Sequence, residues 1–228
     1  MEKPIDRNLY LPAAILIAAF VIGGSLVYSA NMQKGGVPSG TNEPVVNGSR
    51  VEFTVAESDH VRGNANAEIT LVEFSDLECP FCKAFHATAQ QALDEYGDKV
   101  RWVYKHFPLD NLHPKADKEA EAAECAGELG GNDKFWEYVD RVFEVTPSNN
   151  GLDLALLPQI AKDLGLNEAA FKICLDSGKY ADRVEADYQQ GLQAGVTGTP
   201  GSFVNGTPVK GAVPYAVLRS VIEEELKK

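Results

Sequence analysis

Two patterns of apolar residues divide the chain. From Leu9 to Ala30 no charged residue interrupts the sequence, and residues 15–22 read I-L-I-A-A-F-V-I. A helix over this stretch would cross about 30 Å of hydrocarbon. Beyond Arg50 the apolar positions alternate or recur at short periods, as in elements with one buried face. Val51, Phe53 and Val55 alternate with polar residues and predict a short strand. Glu68–Ser75 is more continuously apolar and predicts a central strand. From Pro80 the apolar positions fall at Cys82, Phe85, Ala89, Leu93 and Tyr96, a helical spacing that Pro80 opens and Gly97 closes. Val100–Phe107 returns to strand character. Residues 113–194 show no convincing strand, and predict helices over Lys115–Leu129, Lys134–Phe143, Leu152–Leu164, Glu168–Ser177 and Tyr180–Ala194. Ser202-Phe203-Val204 then predicts a strand, Asn205-Gly206 a hairpin turn needing positive φ, and Thr207-Pro208-Val209 its partner. The proline confines that partner to a sheet edge. Pro214 opens a last helix with Val217, Leu218, Val221 and Ile222 on one face.

The N-terminal segment has two readings, a cleaved signal segment or a membrane anchor. Its apolar run exceeds the roughly 7–15 residues of a signal core. A cut after Ala30 would also place Tyr28 where a small residue is wanted. An uncleaved transmembrane helix within residues 1–30 is the expectation, with Lys3 and Arg7 favouring a cytoplasmic N-terminus. Residues 31–50 are rich in Gly, Ser, Pro and Asn and read as a flexible tether of roughly 25 Å r.m.s. span. The remaining domain is then extracytoplasmic and held near the membrane.

Composition narrows the function. A net charge of −12 offers no basic stripe for phosphates and disfavours nucleic acid as a partner. The 228 residues, 44% hydrophobic, suffice for one well-packed domain without disulfide support. Four cysteines, two of them close together, suggest catalysis and one structural bridge.

Cys79-Pro80-Phe81-Cys82 carries the chemistry. It lies between the Ile69–Phe74 strand and the helix that follows. Two thiols at such a helix start can close on one another and trade the disulfide with a substrate. Unpaired N–H groups and the helix dipole favour an anion at Cys79. A stabilised thiolate leaves readily, so the disulfide becomes oxidising. Asp76 and Glu78, just before Cys79, oppose that thiolate. A static disulfide and a zinc half-site with His86 are the other readings of the pair. His86 itself reads as helix packing, since no convincing fourth ligand accompanies it. Cys125 and Cys174 are either two buried thiols or a structural disulfide. The compartment permits the bridge, and closing that loop would contribute about 4 kcal/mol.

Cys79-Pro80-Phe81-Cys82 after a Glu-bearing strand, a helical insertion, then Gly198-Thr199-Pro200 before a hairpin, resembles the DsbA-like thiol–disulfide oxidoreductases of the thioredoxin superfamily. The resemblance covers roughly residues 51–228. It implies an α/β fold, a thioredoxin fold in two parts (51–112 and 195–228) with an all-helical subdomain inserted at 113–194. It implies that Glu73 is a buried acid beneath Cys82 that aids proton transfer; an exposed strand acid is the other reading, and Lys105 is a candidate partner. It implies that Pro200 is a cis-proline facing the two cysteines, with Thr199, Pro80 and Phe81 beside it on the substrate side. Phe81 stands where the family's strongest oxidants carry histidine. No organic cofactor or metal is implied. The implied partners are reduced exported proteins and a membrane quinone-linked reoxidase. A reductase or isomerase with the same site, and a non-catalytic peptide-binding module, are the alternatives. An isomerase of this superfamily usually has a dimerisation module, and none is visible in the sequence.

Overall fold

A computed structural model describes residues 50–228. The expected anchor at 1–30 lies outside the described residues, as does the tether expected at 31–50 apart from Arg50. Among the described residues no helix is long and apolar enough to cross a membrane.

Among the described residues five strands form one sheet in the order β1-β3-β2-β4-β5. These are β1 (His60–Gly63), β2 (Ile69–Ser75), β3 (Val100–His106), β4 (Gly201–Val204) and β5 (Thr207–Lys210). β2 and β3 run parallel; the other pairs are antiparallel. β2 is central because both its faces are apolar. Ile69 and Leu71 point to one layer, Val72 and Phe74 to the other, and all four are buried. The first layer packs on α1 (Pro80–Tyr96) through Phe85, Ala89 and Leu93, and on α6 (Tyr215–Glu225) through Leu218, Val221 and Ile222. Each large apolar side chain buried here contributes about 1.5–3 kcal/mol. The second layer joins Val72, Phe74, Val103, Phe107 and Phe203 to Tyr188 of α5 (Ala181–Gln193). α5 comes close enough that a Cβ on Gly191 would lie 2.6 Å from the Phe107 ring.

The alternation at Val51, Phe53 and Val55 is met by that second layer and not by a ladder. Residues 51–56 form no strand, and Val51 N–H donates to Gly206 O (2.9 Å). The first strand among the described residues is β1, whose short H-V-R-G sequence carries no periodic signal. The hairpin turn follows expectation, with φ of 45° at Asn205 and 83° at Gly206. β5 is an edge strand, as Pro208 requires.

The insertion comprises α2 (Ala116–Val145), α3 (Leu157–Asp163), α4 (Glu168–Ser177) and α5. The two helices expected at 115–143 are one run, interrupted at Gly131 (φ 80°, ψ −175°). The helix expected at 152–164 begins as a single 3-10 turn at Leu154–Leu156. A disulfide between Cys125 of α2 and Cys174 of α4 joins the insertion's helices (S–S 2.00 Å, Cα–Cα 5.9 Å).

Candidate active site

The turn from β2 to α1 is built by Asp76. One carboxylate oxygen accepts from Glu78 N–H (2.8 Å), an Asx-type turn that redirects the chain. The other accepts from Leu109 N–H (2.9 Å) and pairs with His113 Nδ1 (2.8 Å). This places Cys79 at the N-cap of α1 with extended backbone (φ −78°, ψ 120°), and Pro80 in the first turn, where its missing N–H costs nothing. Asp76 and Glu78 were expected to oppose the Cys79 thiolate. They are instead turned into hydrogen-bond networks of their own: Glu78 accepts from Gly151 and Leu152 N–H.

Cys79 and Cys82 are free thiols, both buried. Cys79 is lowered from its ordinary 9.0 to about 6. The Cys82 thiol donates to it, burial opposes the shift, and Thr199 with the N–H groups of Cys82 and Phe81 adds to the lowering. Cys82 moves the other way, pushed well above its ordinary range by burial, by the Cys79 sulfur and by the charge of Glu73. Its sulfur accepts Asp76 N–H at 3.4 Å. The two thiols are therefore unequal: one ionises near neutral pH, the other holds its proton.

Across from Cys79 lies the loop ahead of β4. The Thr199–Pro200 peptide is cis, and Thr199 O lies 3.6 Å from Cys79 Sγ. Beside it is a cavity of about 450 Å³, lined by Val196, Thr199, Pro200, Phe203, Pro208 and Lys210. Phe81, 64% exposed, stands between the cysteines on the open side.

Glu73 is fully buried, and neither carboxylate oxygen has a hydrogen-bond partner among the described residues. Burial raises it from 4.5 to about 8, with Ser75 and Trp102 opposing and the Cys79 charge adding to the rise. Lys105 is not its partner. In the parallel register Glu73 faces Tyr104, so Lys105, one residue on, points to the opposite layer. There it pairs with Asp59 (2.7 Å) and Asp187 (3.1 Å). His86 is held by Asp140 (2.7 Å) and packs on Trp102 and Phe143, which is the helix-packing role expected of it. Among the described residues no group of three His, Cys, Asp or Glu side chains is placed to hold a metal.

Residues 55–224 match the family model described as thioredoxin. The chain is a DsbA-like member of the thioredoxin superfamily. The DsbA-like fold is shared with DsbA2 of Pseudomonas aeruginosa, at 28% identity and TM-score 0.64, covering 77% of this chain and 98% of that one. BdbD from Bacillus subtilis, in its oxidised form, matches at 25% identity and TM-score 0.70, over 79% of this chain and 100% of that one. Among curated proteins, the Na(+)/H(+) antiporter NhaA 3 of Salinispora tropica is 36% identical over 161 residues. That match takes in 71% of this chain and 23% of the antiporter. The NhaA of Herminiimonas arsenicoxydans is similar at 33% over 167 residues. The chain spans about a quarter of the length of these curated relatives.

The DsbA-like site thus brings together Cys79, Pro80, Phe81, Cys82, Thr199, Pro200 and Glu73. It does not include Lys105. Sequence reasoning missed the constructive roles of Asp76 and His113. Asp76, two residues before Glu78 at a helix start, carried an Asx-turn spacing that reveals the first; nothing in the sequence announced His113 as its partner.

Proposed function

We propose that the protein introduces disulfides into exported proteins by exchange through Cys79 and Cys82, outside the cytoplasm and from a membrane anchor. One observation carries the direction: a Cys79 thiol lowered to about 6 beside a Cys82 thiol that keeps its proton. Such a thiolate is a stable leaving group, and its disulfide is readily reduced by a substrate. In the oxidised protein a substrate thiolate attacks Cys79 Sγ. The Cys79–Cys82 bond breaks, and Cys82 leaves with the electron pair. Glu73, protonated below about pH 8, supplies the proton Cys82 takes up. A second substrate thiolate then attacks the substrate sulfur of the mixed disulfide and releases Cys79 as thiolate. Two electrons have passed from the substrate dithiol to the enzyme. The cavity beside Pro200 and the backbone of Thr199 would hold the substrate segment extended. A quinone-linked membrane reoxidase would accept the two electrons and restore the disulfide.

The test is the reduction potential of the Cys79–Cys82 pair in glutathione buffer, with disulfide transfer to a reduced two-cysteine peptide. A potential between about −200 and −120 mV with net peptide oxidation is expected. A value near about −270 mV, the thioredoxin range, would make the protein a reductase. No transfer in either direction would leave a peptide-binding module.

A further inference from the structure

Two charged side chains bracket the cysteines and reach the same piece of the insertion. Glu78, the residue before Cys79, is fully buried. Its main-chain carbonyl accepts Asn149 N–H (2.8 Å), and its two carboxylate oxygens accept Leu152 and Gly151 N–H (3.2 Å each). Lys83, the residue after Cys82, donates from Nζ to Thr146 O (2.7 Å) and Glu144 O (3.5 Å), where α2 ends. Between these ties lie Ser148, Asn149 and Asn150, with φ of 63°, 53° and 65°. Three successive side-chain-bearing residues in the left-handed region are costly and need support from their surroundings. Here the turn lets residues 144–152 meet both ends of the Cys79–Cys82 segment. Lys115 holds it from behind, donating to Asn150 O (2.8 Å) and Leu152 O (2.6 Å). Glu119 of α2 lies buried against Glu78, and burial together with the Glu78 charge pushes it up to about 10, so that it meets the Glu78 carboxylate as a neutral acid.

We propose that Glu78 and Lys83 are positioning residues for disulfide exchange, tying the start of α1 to residues 144–152 of the insertion. This rests on reading the chain as a thiol–disulfide oxidoreductase. The two ties fix Cys79 Sγ against the Thr199 carbonyl. An incoming sulfur therefore meets an ordered target, and the turn need not be arranged during attack. Glutamate suits position 78 because two converging amides need an acceptor with two oxygens, and a charged one binds them more strongly.

The experiment compares variants of the full chain at a temperature where all are folded. Glu78→Asp keeps the charge but shortens the arm by one methylene. Transfer to a reduced two-cysteine peptide should slow about tenfold in kcat, while the pH midpoint of Cys79 alkylation holds. Amide exchange at Asn149, Gly151 and Leu152 should quicken. Lys83→Met should slow transfer in the same way, and Lys83→Arg, which keeps the charge and the donors, should recover most of the loss. Should Glu78→Asp not fold, the Lys83 pair decides. Lower melting temperatures with unchanged kcat, or Gly151 and Leu152 amides still protected in Glu78→Asp, would overturn the proposal. A wild-type chain that moves no disulfide at all would instead overturn the oxidoreductase reading, and amide exchange would still judge the ties.

Discussion

The Cys79 thiol is shifted mainly by one local donor, the Cys82 thiol beside it. Its ionisation, followed by ultraviolet thiolate absorbance, should show a midpoint near pH 6. A folded-state value below the unfolded one adds stability to the reduced protein that is fully present above the ordinary 9.0 and is lost as pH falls through about 6. Melting of the reduced and oxidised forms should therefore diverge in favour of the reduced form as pH rises through that window. Cys79→Ser should abolish transfer, and Cys82→Ser should accumulate mixed disulfides; trapping through Cys82 in Cys79→Ser would contradict the assignment. Glu73 has the opposite sign. Its carboxyl is raised from 4.5 to about 8, so the native state keeps a proton that the unfolded chain releases. Stability then falls as pH climbs across that interval and is unaffected below it. Glu73→Gln should gain about 4 kcal/mol at pH 8 and nothing near pH 4, while slowing release of the mixed disulfide. Equal denaturant stability of the two proteins at pH 8 would show that Glu73 carries no burial cost.

Elements with a single strong pattern were legible in the sequence, and those shaped by distant partners were not. α1 and α4 could be read to within a residue because one buried stripe and a proper start and stop coincide. β1 could not, since its four residues sit at an edge and are mostly half-buried, so no alternation marks them. Lys105, a candidate partner for Glu73, could not be placed from the sequence because a strand does not say which layer a given side chain faces while register is unknown. Its true partners, Asp59 and Asp187, lie in segments whose own patterns are polar and unremarkable. Lys105→Met should cost about 3 kcal/mol in denaturant unfolding, because the buried Asp59 and Asp187 lose one of the two cations they share, Arg183 being the other. At the scale of the insertion, Cys125→Ala should lower stability by about 4 kcal/mol, the loop-closure value for a separation of 49 residues. It should leave the Cys79–Cys82 potential in place; a potential that moves with it would tie the bridge to the exchange chemistry.

In the whole molecule the exchange site is assembled from three stretches of chain. The cysteines were legible locally, from a strand running into a helix. The opposing Thr199-Pro200 loop, some 120 residues on, was legible only through the resemblance, because nothing local says what a loop faces. Glu78, Lys83 and the left-handed turn at 148–150 had no sequence signal, since each acts through backbone groups supplied by the other side. β4 runs from Pro200, at the cysteines, down to the Asn205-Gly206 hairpin at the far pole. Arg50 and Val51 are fastened there, to Asn205 O, Gly206 O and Glu225. Tension applied ahead of Arg50 would load the hairpin and the end of α6 first. The exchange site would stay unloaded, so that a molecule fixed to a bead by its N-terminus should exchange disulfide with a peptide as fast as one free in solution.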